Sequence, residues 1–368
     1  MSAESRSHFS TENGEEKRKN SDQNRITSIL NSFGLRIFLV TCLMLTIMSI
    51  SNVNIGAIGQ GLAYSLVGVS VYITFRILDF PDLSVDGAFP IGGAVCAMMI
   101  VSGASAEVSL LAAFFAGALT GLVTALITVL LRIEGLLASI IVITGAYTIT
   151  LRTLGMRSNL ALLGERTILK PYQESIRTFV VNVFGDGARR QSNNLLEIIV
   201  FGIIVVLVLM LLNWFMHTEI GLTIRAAGKN SQMVRSIGIN HNIMVVLALM
   251  LSNGLAGLAG SLAVQQLGFA DVSLGFGVII RGLAAVMIGE VLLNPRTVGQ
   301  HMVAAAAGMV IFEVSRAWVF AALDLPTSDI RFVSALVVLL ALAAPNLSQR
   351  WQEWRKRSNR GIQNQEGF

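Results

Sequence analysis

The sequence predicts an all-α polytopic membrane protein of about ten transmembrane helices, and three observations predict it. Of its 368 residues, 54% are hydrophobic and only 13% charged, whereas ordinary soluble domains carry roughly a quarter charged residues. Mean hydropathy is +0.68. Many apolar runs approach or exceed the ~18 residues that span a bilayer. The same arithmetic excludes a disordered chain, a disulfide-stapled secreted module and a collagen-like repeat, since the two cysteines, Cys42 and Cys96, both fall inside apolar segments. The net charge of +5 carries no nucleic-acid signal, because the basic residues gather at the two ends and in loops, as membrane topology requires.

Residues 1–32 hold Glu15, Glu16, Lys17, Arg18 and Lys19 among Ser, Asn and Gln, without apolar periodicity, and read as a disordered cytoplasmic tail. The signature of a cleaved signal peptide is missing. A transmembrane domain over 33–346 follows, with spans predicted near 33–50, 55–76, 87–104, 108–131, 135–153, 196–217, 243–266, 274–293, 299–322 and 330–344. The tail at 347–368 is basic, with Arg350, Arg355, Lys356, Arg357 and Arg360. Even parity and the positive-inside rule place both termini in the cytoplasm. One loop runs against the rule: 154–195, read as external, contributes most of the seven Lys or Arg, against three acids, found over 152–194. Long connections obey the rule less strictly.

Between the sixth and seventh spans lies a polar, Gly-punctuated stretch, 218–242, on the predicted cytoplasmic side. It contains Gly221, Arg225, Ala226, Ala227, Gly228, Lys229, Asn230, Arg235 and Gly238. Ile224, Ala227, Ser231, Val234 and Ile237 recur at three-to-four spacing, which fits a short amphipathic helix along the membrane surface, able to dock in a partner's groove. An ordinary connecting loop fits the spacing equally well.

The second polar region is Asp79-Phe80-Pro81-Asp82-Leu83-Ser84-Val85-Asp86-Gly87, followed by Phe89-Pro90. Three carboxylates and two prolines cannot occupy one uninterrupted lipid-facing helix, so the backbone must break. Either Ser84 or Asp86 caps a helix starting near Ala88, or the break lines a watery translocation path, and the two roles are compatible. A shift of 189 residues aligns Leu78, Phe80, Asp82 and Ser84 with Leu267, Phe269, Asp271 and Ser273, and Gly93 with Gly282. On the parity count the copies face opposite sides, which suggests an inverted repeat. Gly117, Gly121, Gly254, Gly257 and Gly260 are expected to permit close helix approach.

Ionisable residues inside spans are functional candidates because burial in lipid is costly. Glu313 and Arg316, at i,i+3, form a structural ion pair or contact substrate. Arg281 and Glu290 share the eighth span. Arg281 has no local partner and either faces a central cavity, where a carboxylate is a natural ligand, or snorkels to the interface.

These same stretches, Gly221 to Gly238, Arg76 to Gly87 and Gly282 to Glu290, resemble the permease subunits of bacterial ATP-binding-cassette importers serving branched-chain amino acids, ribose and nucleosides. The resemblance spans about 55–345 and is nearest the branch of proposed tryptophan, tyrosine or other amino-acid importers. It implies that 218–242 is a coupling loop gripped by an ATPase subunit present in two copies, that ATP and Mg are held there rather than in this chain, and that a second permease subunit, as a homodimer, encloses the path. It further implies an extracytoplasmic solute-binding protein, a bacterial inner-membrane location and a small polar cargo, an amino acid foremost. Arg166, Lys170, Arg189 and Arg190 of the long loop give it a basic surface for that binding protein.

Absent motifs agree with this. Gly228-Lys229 lacks the earlier glycine of a phosphate-cradling loop, and the four histidines form neither an HExxH pair nor a metal set with cysteine. No cofactor or metal site is therefore expected in this chain. Two further classes remain open on the residues alone: an ion-coupled secondary transporter using Asp79, Asp82, Asp86 or Glu313, and a membrane-embedded enzyme working through the Asp79 to Asp86 cluster.

Overall fold

The computed structural model describes residues 33–50, 55–174, 178, 189–323, 329, 332, 334–336, 338 and 339. Both predicted tails, 1–32 and 347–368, lie outside these residues. So does most of the tenth predicted span.

The elements in chain order are α1 (Phe33–Ile50), α2 (Gly56–Tyr72) with a π-turn (Ile73–Ile77), α3 (Val85–Val101), α4 (Ala106–Leu130), α5 (Gly135–Thr153), β1 (Asn159–Ala161) and α6 (Arg189–Met216). Then come α7 (Glu219–Lys229), α8 (Ser231–Ser236), α9 (His241–Leu267), β2 (Phe269–Asp271), a 3₁₀ turn (Val272–Gly275), α10 (Val278–Leu293) and α11 (Val298–Leu323). Among the described residues seven helical segments are long and apolar enough to cross a membrane; α3 is apolar but has only 17 residues, and the described side chains of α1 end at Cys42. Nine of the ten predicted spans thus coincide with described helices, seven of them long enough to cross a membrane by this measure, and the tenth lies mostly outside the described residues. The chain is a multi-pass membrane protein.

Lipid is written on its outer helices. Along α4, Leu111, Phe115 and Leu119 are each about 60% exposed, and Ile203, Leu207, Met210 and Trp214 do the same on α6. Such stripes would be untenable in water and are ordinary against acyl chains.

The core is helix on helix. Lipid tails are as apolar as the side chains, so helix association relies on shape rather than on hydrophobic burial. α9 packs against α4 and α3, while α11 packs against α2 and α10. Glycine makes both contacts close. A Cβ added at Gly257 would lie 2.5 Å from the Ala113 carbonyl oxygen and 3.0 Å from Gly117 Cα, and one at Gly68 would lie 2.7 Å from the Ala305 carbonyl oxygen. The glycines singled out in the sequence on α4 and α9 all sit at such approaches.

Residues 78–84 leave the helix for physical reasons that the sequence displays. Asp79 adopts a left-handed conformation with φ 55°, and Pro81 has no N–H to donate. Helix α3 restarts at Val85, three residues earlier than expected. The basic loop also departs from expectation: α6 begins at Arg189, so Arg189 and Arg190 belong to its first turn rather than to the loop. Before it, β1 pairs antiparallel with β2 through Asn159↔Asp271, Leu160↔Ala270 and Ala161↔Phe269.

Leucine at Gly257 or Gly68 is expected to lower stability by about 1–3 kcal/mol or more through overpacking. Alanine at Gly145, where a Cβ meets nothing within 4 Å, should change it by less than ~0.5 kcal/mol. Thermal loss of the monodisperse species in detergent, followed by size-exclusion chromatography, checks the difference.

Candidate functional site

The helix break organises the polar groups of the bundle. Asp82 and Ser84 are fully buried. Asp82 Oδ1 accepts from the Ser84 amide at 2.8 Å and from its hydroxyl at 2.5 Å, and Oδ2 accepts from Asn253 Nδ2 at 2.7 Å. Asn253 stands at the middle of α9 and is itself fully buried. A carboxylate withdrawn from solvent is tolerable only with such partners.

Neither residue expected to cap α3 does so. Ser84 makes no side-chain cap, because its hydroxyl is turned back to Asp82. The Asp86 carboxylate crosses to another helix, where Oδ1 accepts from the Ile279 amide at 2.6 Å and Oδ2 from the Gly277 amide at 3.2 Å. Asp86 therefore caps α10, not its own helix, and satisfies orphan amides at the positive end of that helix. The aligned residues repeat the geometry of the break: Asp271 Oδ1 accepts from the Ser273 amide at 2.7 Å and its hydroxyl at 2.5 Å. Asp79 and Pro81 are exposed, and the Phe80 ring lies under Gly135.

Beside the start of α10 opens a cavity of about 520 Å³, lined by Gln60, Tyr64, Phe269, Ser273, Arg281 and Arg316 among others. Arg281 is not without a partner, as its own helix suggested. Its Nη1 lies 3.6 Å from Glu313 Oε1 on α11, and its guanidinium sits 4.7 Å over the Tyr64 ring, a cation–π arrangement. Arg316 holds the same carboxylate at 2.6 Å and 2.8 Å and reaches Gln60 Oε1 at 3.1 Å. One fully buried carboxylate thus serves two guanidiniums. Glu290 is directed elsewhere, to Arg76 and, at 3.4 Å, to His301.

The stretch 218–242 forms two helices rather than one. Thr218 caps α7, accepting from the Gly221 amide at 3.3 Å; Asn230 leaves helical geometry and caps α8, accepting from the Met233 amide at 3.0 Å. Gly221, Ile224, Ala227 and Val234 are buried, and the face they form docks on this chain's own α9 and π-turn. Gly228 approaches the backbone of Ile77 and Leu78 so closely that no side chain fits between them. Ile237, expected in the buried stripe, is 61% exposed, because Gly238, at φ 82°, turns the chain away. Leu222, Met233, Arg235 and Ile237 form the exposed rim.

Comparison with known proteins places this architecture. The profile of the branched-chain amino acid transport system permease component family matches residues 54–342. The chain belongs to this family. A tyrosine transport system permease protein of Clostridioides difficile (strain R20291) is 33% identical over 294 residues, 80% of this chain and 92% of its own length. The galactofuranose transporter permease protein YtfT of Escherichia coli (strain K12) is 27% identical over 215 residues, 56% of this chain and 55% of its own. The autoinducer 2 import system permease protein LsrC of Salmonella typhi is 31% identical over 85 residues, 23% of this chain and 24% of its own. No solved structure matches the chain.

Three polar residues of these sites escaped sequence reasoning: Gln60, Tyr64 and Asn253. The pair Ser252-Asn253 inside an otherwise apolar helix was the available signal, since Ser252 also meets Ser70 across the interface at 2.9 Å. Replacing Asn253 by alanine is expected to destabilise the chain by about 1–3 kcal/mol, because the Asp82 carboxylate is left buried with one donor fewer. Asp82→Asn in the same background should recover part of that loss, and melting curves of the two variants check it.

Proposed function

We propose that this chain is the membrane-spanning permease subunit of an ATP-binding-cassette importer in a bacterial inner membrane, both termini cytoplasmic. The observation that carries the reading is the α7–α8 pair. It is bound to the bundle by its buried face and leaves a rim, Leu222, Met233, Arg235 and Ile237, suited to a partner's groove. Two ATPase subunits, carrying ATP and Mg, grip these rims on two copies of the chain. A solute-binding protein delivers cargo at the opposite end, where β1 and β2 tie the long loop beside the Phe269 edge of the cavity.

The coupling has a physical route. Gly228 lies against the Ile77 backbone, so a displacement of α7 is transmitted to the end of α2. Helix α2 in turn contacts α10 and α11, and all three line the Arg281 cavity. The chemistry of that cavity favours an amino acid: Arg281 and Arg316 attract a carboxylate, and Tyr64 offers an aromatic face. The similarity to a tyrosine permease supports the same cargo class.

An inverted repeat is part of this reading. Under the 189-residue shift α2, α3 and α4 overlay α9, α10 and α11, and the contacts are reciprocal: α4 meets α9 as α11 meets α2. Gly93 closes on Gly260, and their shifted equivalents, Gly282 and Val71, also touch. Asp86 and its equivalent Gly275 meet each other, as residues near a two-fold axis do. Opposed halves of this kind build an alternating-access path.

Affinity purification of the tagged chain from native membranes tests the assignment. An ATPase subunit should accompany the wild type and be lost from a Met233→Glu, Ile237→Glu variant. Recovery of the chain alone, with ion-gradient-driven uptake in liposomes, would overturn it. In the assembled importer Arg281→Leu should lower tyrosine uptake at least tenfold while the ATPase still copurifies, because Glu313 keeps Arg316 as its partner. Unchanged uptake would remove Arg281 from the path.

A further inference from the structure

A second cavity, of about 800 Å³, lies at the α7 end of the bundle, between α7, the last turns of α2 and α10 and the first turn of α11. Among the described residues four permanent cations line it, Arg76, Arg225, Lys229 and Arg296, with His217 and His301 beside them. Glu290 is, among the described residues, the one carboxylate on its wall, and it is engaged by Arg76 and approached by His301. Among the described residues no carboxylate forms an ion pair with Arg225, Lys229 or Arg296.

The backbone adds to this positive field. Asn294 takes a left-handed conformation with φ 46°, turning the chain from α10 into α11. Gln300 Oε1 accepts from the amides of Arg296 at 2.9 Å and Thr297 at 3.3 Å, fixing the segment that carries Arg296. The 26-residue α11 then starts at Val298, on the cavity wall, with its positive dipole end at this rim. Like charges converging in a concave space repel one another, and a counter-anion relieves that repulsion.

We propose that this cavity binds a phosphate-bearing anion. Three guanidiniums from three elements match the several oxygens of a phosphate group better than a single carboxylate does. The space accommodates a headgroup, and basic pockets where spans end are where anionic lipid headgroups settle. The chemistry is shared by two sources, the headgroup of an anionic phospholipid and a soluble phosphate compound. The site is separate from the Arg281 cavity, and it does not depend on which solute is carried.

The test uses the purified full-length chain in nanodiscs of dioleoyl phosphatidylcholine, with or without dioleoyl phosphatidylglycerol, and in a separate arm with inorganic phosphate. Melting temperature and lipid retention in native mass spectrometry are the readouts. Binding of either probe that Arg296→Glu weakens about tenfold or more, and that Arg132→Glu outside the cavity leaves unchanged, supports the site. Phosphate alone being effective assigns a soluble ligand, and phosphatidylglycerol alone assigns a lipid. Should Arg296→Glu fail to fold, Arg296→Gln and the loss of binding with added salt give the same reading. Absence of binding by both probes, or binding indifferent to Arg296, overturns the proposal. So does absence of binding combined with release of a copurifying ATPase by Arg296→Glu, which would make the cavity a socket for an acidic side chain of that subunit.

Discussion

The bundle depends on one carboxylate placed between two helix starts. Asp86 belongs to the first turn of α3 yet gives both oxygens to amides at the first turn of α10. A helix that begins inside a bundle has orphan N–H groups and no water to satisfy them. Asp86 meets that requirement for α10, while the Asp82 turn with Asn253 anchors the segment from which α3 starts. The Arg281 cavity begins beside Gly277, at the helix start that Asp86 caps.

Around that junction the helices are held by contact rather than by burial of oil in water. Backbones at Gly257 and Gly68 touch carbonyls of their neighbours, and polar bridges such as Asp82–Asn253 and Arg281–Glu313 tie together elements that are separate in sequence. Such contacts resist small deformations, so the helices move as units.

Much of this was legible in the sequence. The apolar runs matched most of the described helices to within a few residues, although α6 starts at Arg189 rather than near 196, and Pro81 with three nearby acids announced the break. The polar stretch after α6 was visible as a distinct element, and so were the glycines of α4 and α9. What stayed hidden were pairings between helices. Asp86 looked like a cap for the helix it heads, because local spacing cannot show that α10 starts beside it 191 residues later. Arg281 looked unpartnered for the same reason, and Glu290 showed no sign of Arg76. The split at Asn230 was missed because its neighbours keep helical periodicity across it, while the asparagine side chain favours capping α8. Single-span charge reasoning treats each helix as if alone in lipid, whereas Asp86, Arg281 and Glu290 are each answered from another element.

The π-turn at the end of α2 has a consequence for how lengths are matched across the molecule. A π-turn closes its hydrogen bonds one residue later than an α-turn, and here the Leu78 amide reaches back to the Ile73 carbonyl at 2.9 Å. The helix therefore carries about one spare residue, equivalent to roughly 1.5 Å of axial length and 100° of rotation in α geometry. Removing a residue from 73–77 would swing the Ile77 carbonyl away from Gly228 while leaving the upstream glycine contacts of α2 in register. The turn acts as a phase adjuster, letting one helix satisfy two docking surfaces whose spacing is incommensurate with 3.6 residues per turn.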